Sequence, residues 1–280
     1  MAPLHVPTVS VCIPTYRGVA HLGSAIDSVL GQTLADFELV IIDDNSPDTT
    51  PDLVGRYRDT RIRYIRNSNN LGPEGNWNKC LAEAKGKYFK LLPHDDVLMP
   101  TCLERQASLL EQDENERVAL VFCARTIIDP NDKILRVRGY PRGTLGIIES
   151  NELVRRCMRY GTNLIGEPGA VMMRRKLALQ IGSFDATHPY VIDLNYWFRL
   201  LLHGAAYYIP EPLAAFRVSR GSWSVALSKK QTTDVRGLFE KFAQNPNYSV
   251  KYHDVAIGRQ MARVNNVLRL LFYRVVLKDL

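Results

Sequence analysis

The sequence predicts an α/β protein: a mixed, mainly parallel sheet flanked by helices, with a C-terminal helical extension. Three observations lead there. Short β-branched runs alternate with segments of helical spacing through roughly the first 125 residues. The runs are mostly apolar throughout, as strands covered on both faces are. The chain then closes on a long stretch of helical periodicity.

Residues 8–13 (TVSVCI) read as the first strand, bounded by prolines, and residues 19–30 as a helix with Leu22, Ile26, Val29 and Leu30 on one face. Further strands follow at 37–42 (FELVII), 61–65 (RIRYI), 88–92 (YFKLL) and 118–122 (VALVF), with helices near 51–57, 74–84 and 101–111. Beyond residue 125 the alternation weakens. Residues 127–137 read as a hairpin about the Pro130-Asn131-Asp132 turn, 150–160 as a helix, and 169–173 as a last strand before another helical stretch. No linker rich in Gly, Ser or Pro and no repeat interrupts the chain, so we expect closely fused halves. Near the end, Val264, Val267, Leu268, Leu271, Val275 and Val276 share one side of a helical wheel and Arg259, Arg263, Arg274 and Lys278 the other. Such a helix either packs on the domain or lies on an anionic lipid surface.

No apolar run approaches the roughly 18 residues of a membrane-spanning helix, and the N-terminal MAPLHVPTVS lacks the basic start and apolar stretch of a secretory signal. We expect a cytoplasmic protein, peripheral at the inner face of the cell membrane if its last helix is interfacial. Cys12, Cys80, Cys102, Cys123 and Cys157 are scattered and never form C-x-x-C, which excludes a zinc knuckle or disulfide framework and leaves each a small buried apolar residue. Charge is uneven: residues 1–130 carry 13 basic against 18 acidic side chains, residues 131–280 carry 23 against 11. The basic half could meet nucleic acid, a nucleotide phosphate or an anionic membrane. The run Arg56, Arg58, Arg61, Arg63, Arg66 alternates with apolar residues in strand fashion and reads as a solvated edge, so nucleic acid is not an expected partner.

Neither G-x-G-x-x-G nor G-x-x-x-x-G-K-[ST] occurs, so dehydrogenase and P-loop readings fall away. Two apolar runs instead end in paired aspartates, Asp43-Asp44-Asn45-Ser46 and His94-Asp95-Asp96. Ligands of parallel sheets bind at carboxyl ends of strands. Adjacent carboxylates repel, and a hard divalent cation bridging diphosphate oxygens suits them; helix capping or turn formation is the structural alternative.

The run VSVCIPTYRGVAHLGSAIDSVLGQTLADFELVIIDDNSPD resembles the opening of glycosyltransferase family 2, and NNLGPEGNWNKCLAEAKGKYFKLLPHDDVLMP resembles that family's second block. GEPGAVMMRRKLALQIGSFD followed by VIDLNYWFRLLLHG resembles its acceptor region and base-bearing helix. The resemblance covers roughly residues 8–220. It implies a Rossmann-like GT-A fold, a nucleotide-binding half over residues 1–125, an acceptor-binding half over 126–224 and a helical extension over 225–280. It further implies an inverting transferase, using a nucleotide-diphosphate sugar and Mn2+ or Mg2+, that builds a polysaccharide or glycolipid of the cell envelope on a saccharide or lipid-linked saccharide.

Residue by residue, the resemblance sets Pro14, Thr15 and Tyr16 against the nucleoside, Asp44 on a base N–H, Asp95 on ribose or diphosphate, and Asn78 near the nucleotide. It makes Asp96 the metal ligand and Asp193 the general base. Glu167 falls in the acceptor loop, and Arg217 and Arg220 become candidates for acceptor or diphosphate. The chain departs from the family pattern at Arg17, Trp77, Pro93-His94, Ile192 and Ser219. A catalytically silent nucleotide-sugar-binding protein of the same fold is the alternative function, against which retained Asp96 and Asp193 speak.

Overall fold

The computed structural model describes residues 5–141 and 143–277, whose strands form a ten-stranded sheet. Its first half comprises β1 (Val9–Thr15), β2 (Phe37–Asp43), β3 (Ile62–Arg66) and β4 (Tyr88–Leu91), all parallel, in the order β3-β2-β1-β4. The helices α1 (Leu22–Leu30), α2 (Thr50–Val54) and α3 (Gly72–Glu83) lie in the crossovers between them. Because successive strand side chains point to opposite faces, Val9, Val11 and Ile13 enter one core with Leu22, Ile26 and Val29 of α1. Cys12 enters the other core with Val40, Ile42 and the α3 residues Cys80 and Leu81. Both faces of the sheet are therefore covered. β3 is the edge strand, where Asp59 answers Arg61 and Glu83 answers Arg63.

After β4 come β5 (Val97–Leu98), α4 (Cys102–Gln112), β6 (Val118–Ile128), β7 (Ile134–Arg138), β8 (Gly146–Ile148), α5 (Ser150–Tyr160), β9 (Val171–Arg174), α6 (Arg175–Ile181), α7 (Ile192–Leu201) and β10 (Ala205–Arg217). The sheet continues β4-β9-β6-β10-β5, with β9 antiparallel to both neighbours and β10 parallel to β6. The hairpin expected about Pro130 is present as β6 and β7. Residue 125 falls inside β6, so the two expected halves share one sheet. Periodicity does not reveal the short β5 and β8 or the long β10: in β10 Pro210, Glu211 and Pro212 break the pattern, and its register against β6 shifts there.

The chain ends with α8 (Trp223–Ala226), α9 (Gln231–Ala243) and α10 (Tyr252–Val276). α9 buries Val235, Leu238, Phe239 and Phe242 in the core beneath α7. α10 crosses α5 so closely that a Cβ on Gly258 would collide with the Met158 carbonyl. It packs through Val255, Gly258, Ala262 and Tyr273, whereas Val264, Val267, Leu268, Leu271 and Val275 are exposed. The helix thus does pack on the domain, but through the face opposite its apolar stripe; Lys278 lies outside the described residues. Among the described residues no helix is long and apolar enough to cross a membrane. All five cysteines are buried and free.

Candidate active site

Strand order places the chemistry. β1 connects outward to β2 on one side while β4 lies on the other, and such a reversal leaves a crevice at the strands' carboxyl ends. A cleft of about 730 Å³ occupies it, and Pro14, Thr15, Tyr16, Asp44, His94, Asp95, Glu167 and Asp193 line it together.

One wall comes from the ends of β1, β2 and β4. Asp44 is buried, its Oδ1 accepting Asn67 Nδ2 (2.7 Å) and the Leu71 N–H (2.8 Å). Asn67 is held in turn by Lys79 Nζ, which donates to its Oδ1 (2.7 Å). Neighbouring Asp43 is structural: it accepts the Ser46 N–H and the Tyr64 hydroxyl. Division of labour within the pair leaves one carboxylate for the fold and one for the cleft. Thr15 Oγ1 is buried with no hydrogen-bond partner among the described residues, a group for which a ligand is the usual explanation. A Cβ on Gly18 would collide with that hydroxyl, so glycine keeps the loop close.

Asp95 lines the cleft; Asp96 lies behind it, buried, with Oδ1 accepting the Arg217 N–H (3.0 Å). Burial and the adjacent Asp95 charge push the Asp96 carboxyl well above the usual carboxylate range. Two such carboxylates are the donor chemistry that a hard divalent cation relieves. Among the described residues no three His, Cys, Asp or Glu side chains gather to hold an ion by themselves. A Mg2+ or Mn2+ ion here fits only if substrate oxygens complete its shell, as they do where one or two carboxylates share an ion with phosphates.

The opposite wall is assembled from distant segments. Asp193 stands in the first turn of α7, its Oδ2 accepting Asn163 Nδ2 (2.9 Å) and its Oδ1 the Leu194 N–H (2.7 Å). Burial outweighs both bonds and, with the nearby Glu167 charge, pushes its carboxyl up to about 7. Glu167 accepts Arg125 Nε (2.6 Å). Burial opposes its ionisation, but Arg125 and Arg138 prevail and hold it below the usual range. Trp77 and Trp223 meet edge to face, centroids 6.3 Å apart, along the same cleft.

Besides Asp96, which is buried behind the cleft lining, three expected site residues stand elsewhere. Asn78 does not line the cleft: its Oδ1 accepts the Phe184 N–H (2.7 Å) and its Nδ2 donates to the Phe184 carbonyl (3.1 Å), because α3 turns Asn76 and Trp77 to the cleft instead. Arg217 is fully buried, and its guanidinium donates to the carbonyls of Asp95, Asp129 and Pro130 and to Asp132. It ties the β6–β7 turn to the aspartate loop and has no face left for a substrate phosphate. Arg220 is exposed, lies outside the cleft lining and donates to the Leu277 carbonyl. The cleft's cations are instead Arg136, Arg138 and Arg269. Sequence reading also passed over Asn67, Asn163 and Arg125, which position Asp44, Asp193 and Glu167. Asn163 left a local trace, since its Oδ1 caps the Ile165 and Gly166 N–H groups as an Asx turn.

Residues 10–182 match the family model for Glycosyl transferase family 2. An uncharacterized protein of Mycobacterium tuberculosis is 33% identical over 75% of this chain and 67% of its own length. An uncharacterized glycosyltransferase of Rickettsia prowazekii is 30% identical over 77% of this chain and 65% of its own. The chain thus spans about two thirds of the length of these relatives. Among solved structures, S. aureus TarS 1-349 in complex with UDP-GlcNAc superposes with TM-score 0.68 at 16% identity, covering 97% of this chain and 74% of that one. The mannosyltransferase PcManGT from Pyrobaculum calidifontis, in complex with GDP-Man and Mn2+, gives TM-score 0.64 at 16% identity over 98% and 76%. At those identities the likeness concerns the fold, while the family match over most of the chain concerns descent. The chain belongs to glycosyl transferase family 2.

Proposed function

We propose that this protein transfers a sugar from a nucleoside-diphosphate donor to an acceptor hydroxyl, inverting the anomeric centre, with Asp193 as general base. The supporting observation is a carboxyl pushed up to about 7 that lines the same cleft as Asp44 and Asp95. A base is most effective when its pKa lies near working pH. In this reading Asp44 accepts a base N–H, Pro14, the Thr15 hydroxyl and Tyr16 pack against the nucleoside, Asp95 contacts ribose or diphosphate, and Asp96 would hold Mn2+ or Mg2+. When bound, the ion would neutralise charge developing on the diphosphate leaving group. Asn163 and the Leu194 N–H orient the Asp193 carboxylate so that it takes the acceptor hydroxyl proton as the new bond forms. The acceptor is a saccharide or lipid-linked saccharide, met at the cytoplasmic side of the cell membrane. Residues 1–125 serve the donor, 126–224 the acceptor, and 225–280 complete the acceptor wall.

Thermal shift across uridine, guanosine and thymidine diphosphate sugars, with and without Mn2+, identifies the donor as the one that raises the melting temperature with metal present. With that donor, Asp193→Asn is expected to reduce turnover about 10²–10⁴-fold, the range of a lost general base, and to leave nucleotide affinity unchanged. Turnover of the parent should rise about tenfold from pH 6 to pH 8, since the base must be ionised to act. Turnover at the parental rate in Asp193→Asn would remove Asp193 from the role of general base, whereas a parent that binds the donor without turnover would favour the binding-protein reading.

A further inference from the structure

We propose that Arg138 and Arg269 form an anion subsite on the acceptor side of the cleft, which takes a phosphate group carried by the acceptor. The proposal rests on the transferase reading for the word acceptor, but the subsite itself rests on geometry.

In the β6–β7 register Arg138 lies directly across from Arg125, and Ile127 across from Arg136. Like charges directly opposed on neighbouring strands are destabilising. Glu167 answers only part of that charge, pairing with Arg125 at 2.6 Å. Among the described residues no carboxylate comes within ion-pair distance of Arg138 or Arg269, and neither guanidinium makes a hydrogen bond; the ion pairs of this wall stop at Arg125 and Glu167. Arg269 reaches the same cleft from α10, its guanidinium carbon 5.4 Å from the centroid of the Tyr190 ring.

Both arginines are half-buried. Burial, and for Arg138 the neighbouring Arg125, press their pKa values down, that of Arg138 to about 10, so each stays charged while poorly solvated. A desolvated cation is stabilised by an anion, and two guanidinium forks suit the oxygens of a phosphate. The donor wall is a less apt owner of these groups, since both arginines feel the charge of Glu167, the same carboxylate that acts on Asp193. The position also suits an amphiphile. Leu268 and Phe272 line the cleft beside Arg269, and the exposed stripe of Val264, Val267, Leu271 and Val275 runs on from Leu268 along α10. A phosphate seated on the arginines could carry a hydrocarbon along that stripe.

The test is a binding experiment, so its failure is separate from any result with Asp193→Asn. With the donor side filled by UDP or GDP, whichever raises the melting temperature, inorganic phosphate and octyl phosphate are titrated into the parent, Arg138→Gln, Arg269→Gln and the double variant. Phosphate affinity is expected to fall about tenfold or more in the double variant, with nucleotide affinity altered less than twofold. Arg269→Lys, which keeps the charge and loses the fork, should lie between, and serves if the double variant fails to fold. Octyl phosphate binding at least tenfold tighter than inorganic phosphate would assign a lipid phosphate; equal affinities would assign a soluble phosphate ester, and either result supports the subsite. Unchanged phosphate affinity in the variants overturns the proposal. So does an equal loss of nucleotide affinity, which would give both arginines to the donor diphosphate.

Discussion

The two walls of the cleft are built on different principles. On the donor wall, Asp44 hangs from the end of β2 and is held by the Leu71 N–H and by Asn67, itself held by Lys79, so the carboxylate is fixed by short polar links made inside one βα unit and its neighbour, which leaves Thr15 Oγ1 and the Asp95–Asp96 pair to a ligand. On the acceptor wall, Asp193, Glu167, Arg125, Arg138 and Arg269 come from α7, the loop before β9, β6, β7 and α10, and several of their charges are unanswered or suppressed by burial. A network satisfied internally can be rigid before any ligand arrives. One with leftover charge depends on what binds it.

That contrast can be broken most forcefully at Glu167. Glu167→Ala leaves the almost fully buried Arg125 guanidinium without its partner, and loss of about 3 kcal/mol in unfolding free energy is expected by denaturant titration, near the lower end for a broken buried pair. A change below 1 kcal/mol would mean that the acceptor wall is already solvated. The donor wall responds differently: Asn67→Ala should weaken nucleotide binding about tenfold, or about 1.4 kcal/mol, because Asp44 loses its orienting amide, while the pH profile set by Asp193 stays put.

Asp193 sharpens the comparison through stability rather than rate. Its carboxyl binds a proton more tightly in the folded protein, at about 7, than in the unfolded chain near the ordinary carboxylate value. Folding stability therefore falls as pH rises from about 4 to about 7. Asp193→Asn should melt at a higher temperature than the parent at pH 8 and lose that advantage at pH 5; equal melting at both values would mean the carboxyl is not desolvated.

The smallest effect belongs to the first loop of the donor wall. Arg17 sits at φ 54°, the left-handed region that asparagine and glycine tolerate better. Arg17→Asn is expected to stabilise by about 0.5 kcal/mol, a fraction of the cost of a left-handed side-chain-bearing residue, with nucleotide binding preserved because the Ser46 hydroxyl bonds its backbone N–H.

How much of this was legible beforehand follows the same division. The aspartates at the ends of β2 and β4 could be located because one pair closes an apolar run and the other follows one within three residues, and a parallel sheet brings strand ends to one crevice whatever the loops do. Asp193 was found through resemblance, and its neighbour Asn163 could have been found from a local turn. Arg217 could not be judged: the resemblance made it a candidate for acceptor or diphosphate, and only the fold brings the Asp95 carbonyl and the β6–β7 turn against it to absorb its donors. Asn78 failed for a subtler reason, since each helical step turns a side chain by about 100° and the choice among Asn76, Trp77 and Asn78 depends on what packs beneath α3.

Periodicity and strand-end chemistry are local properties, readable within ten or twenty residues, and they determined the parallel core, the position of the crevice and the aspartates that enter it from β2 and β4. Which charges are left without partners is a property of contacts between segments far apart in the chain. The register of β7 on β6, the return of β10 beside β6 and the crossing of α10 over α5 decided that Arg217 would be used up in the fold and Arg138 and Arg269 would face the cleft. Burial and pairing depend on neighbours, and neighbours exist only once the chain has folded.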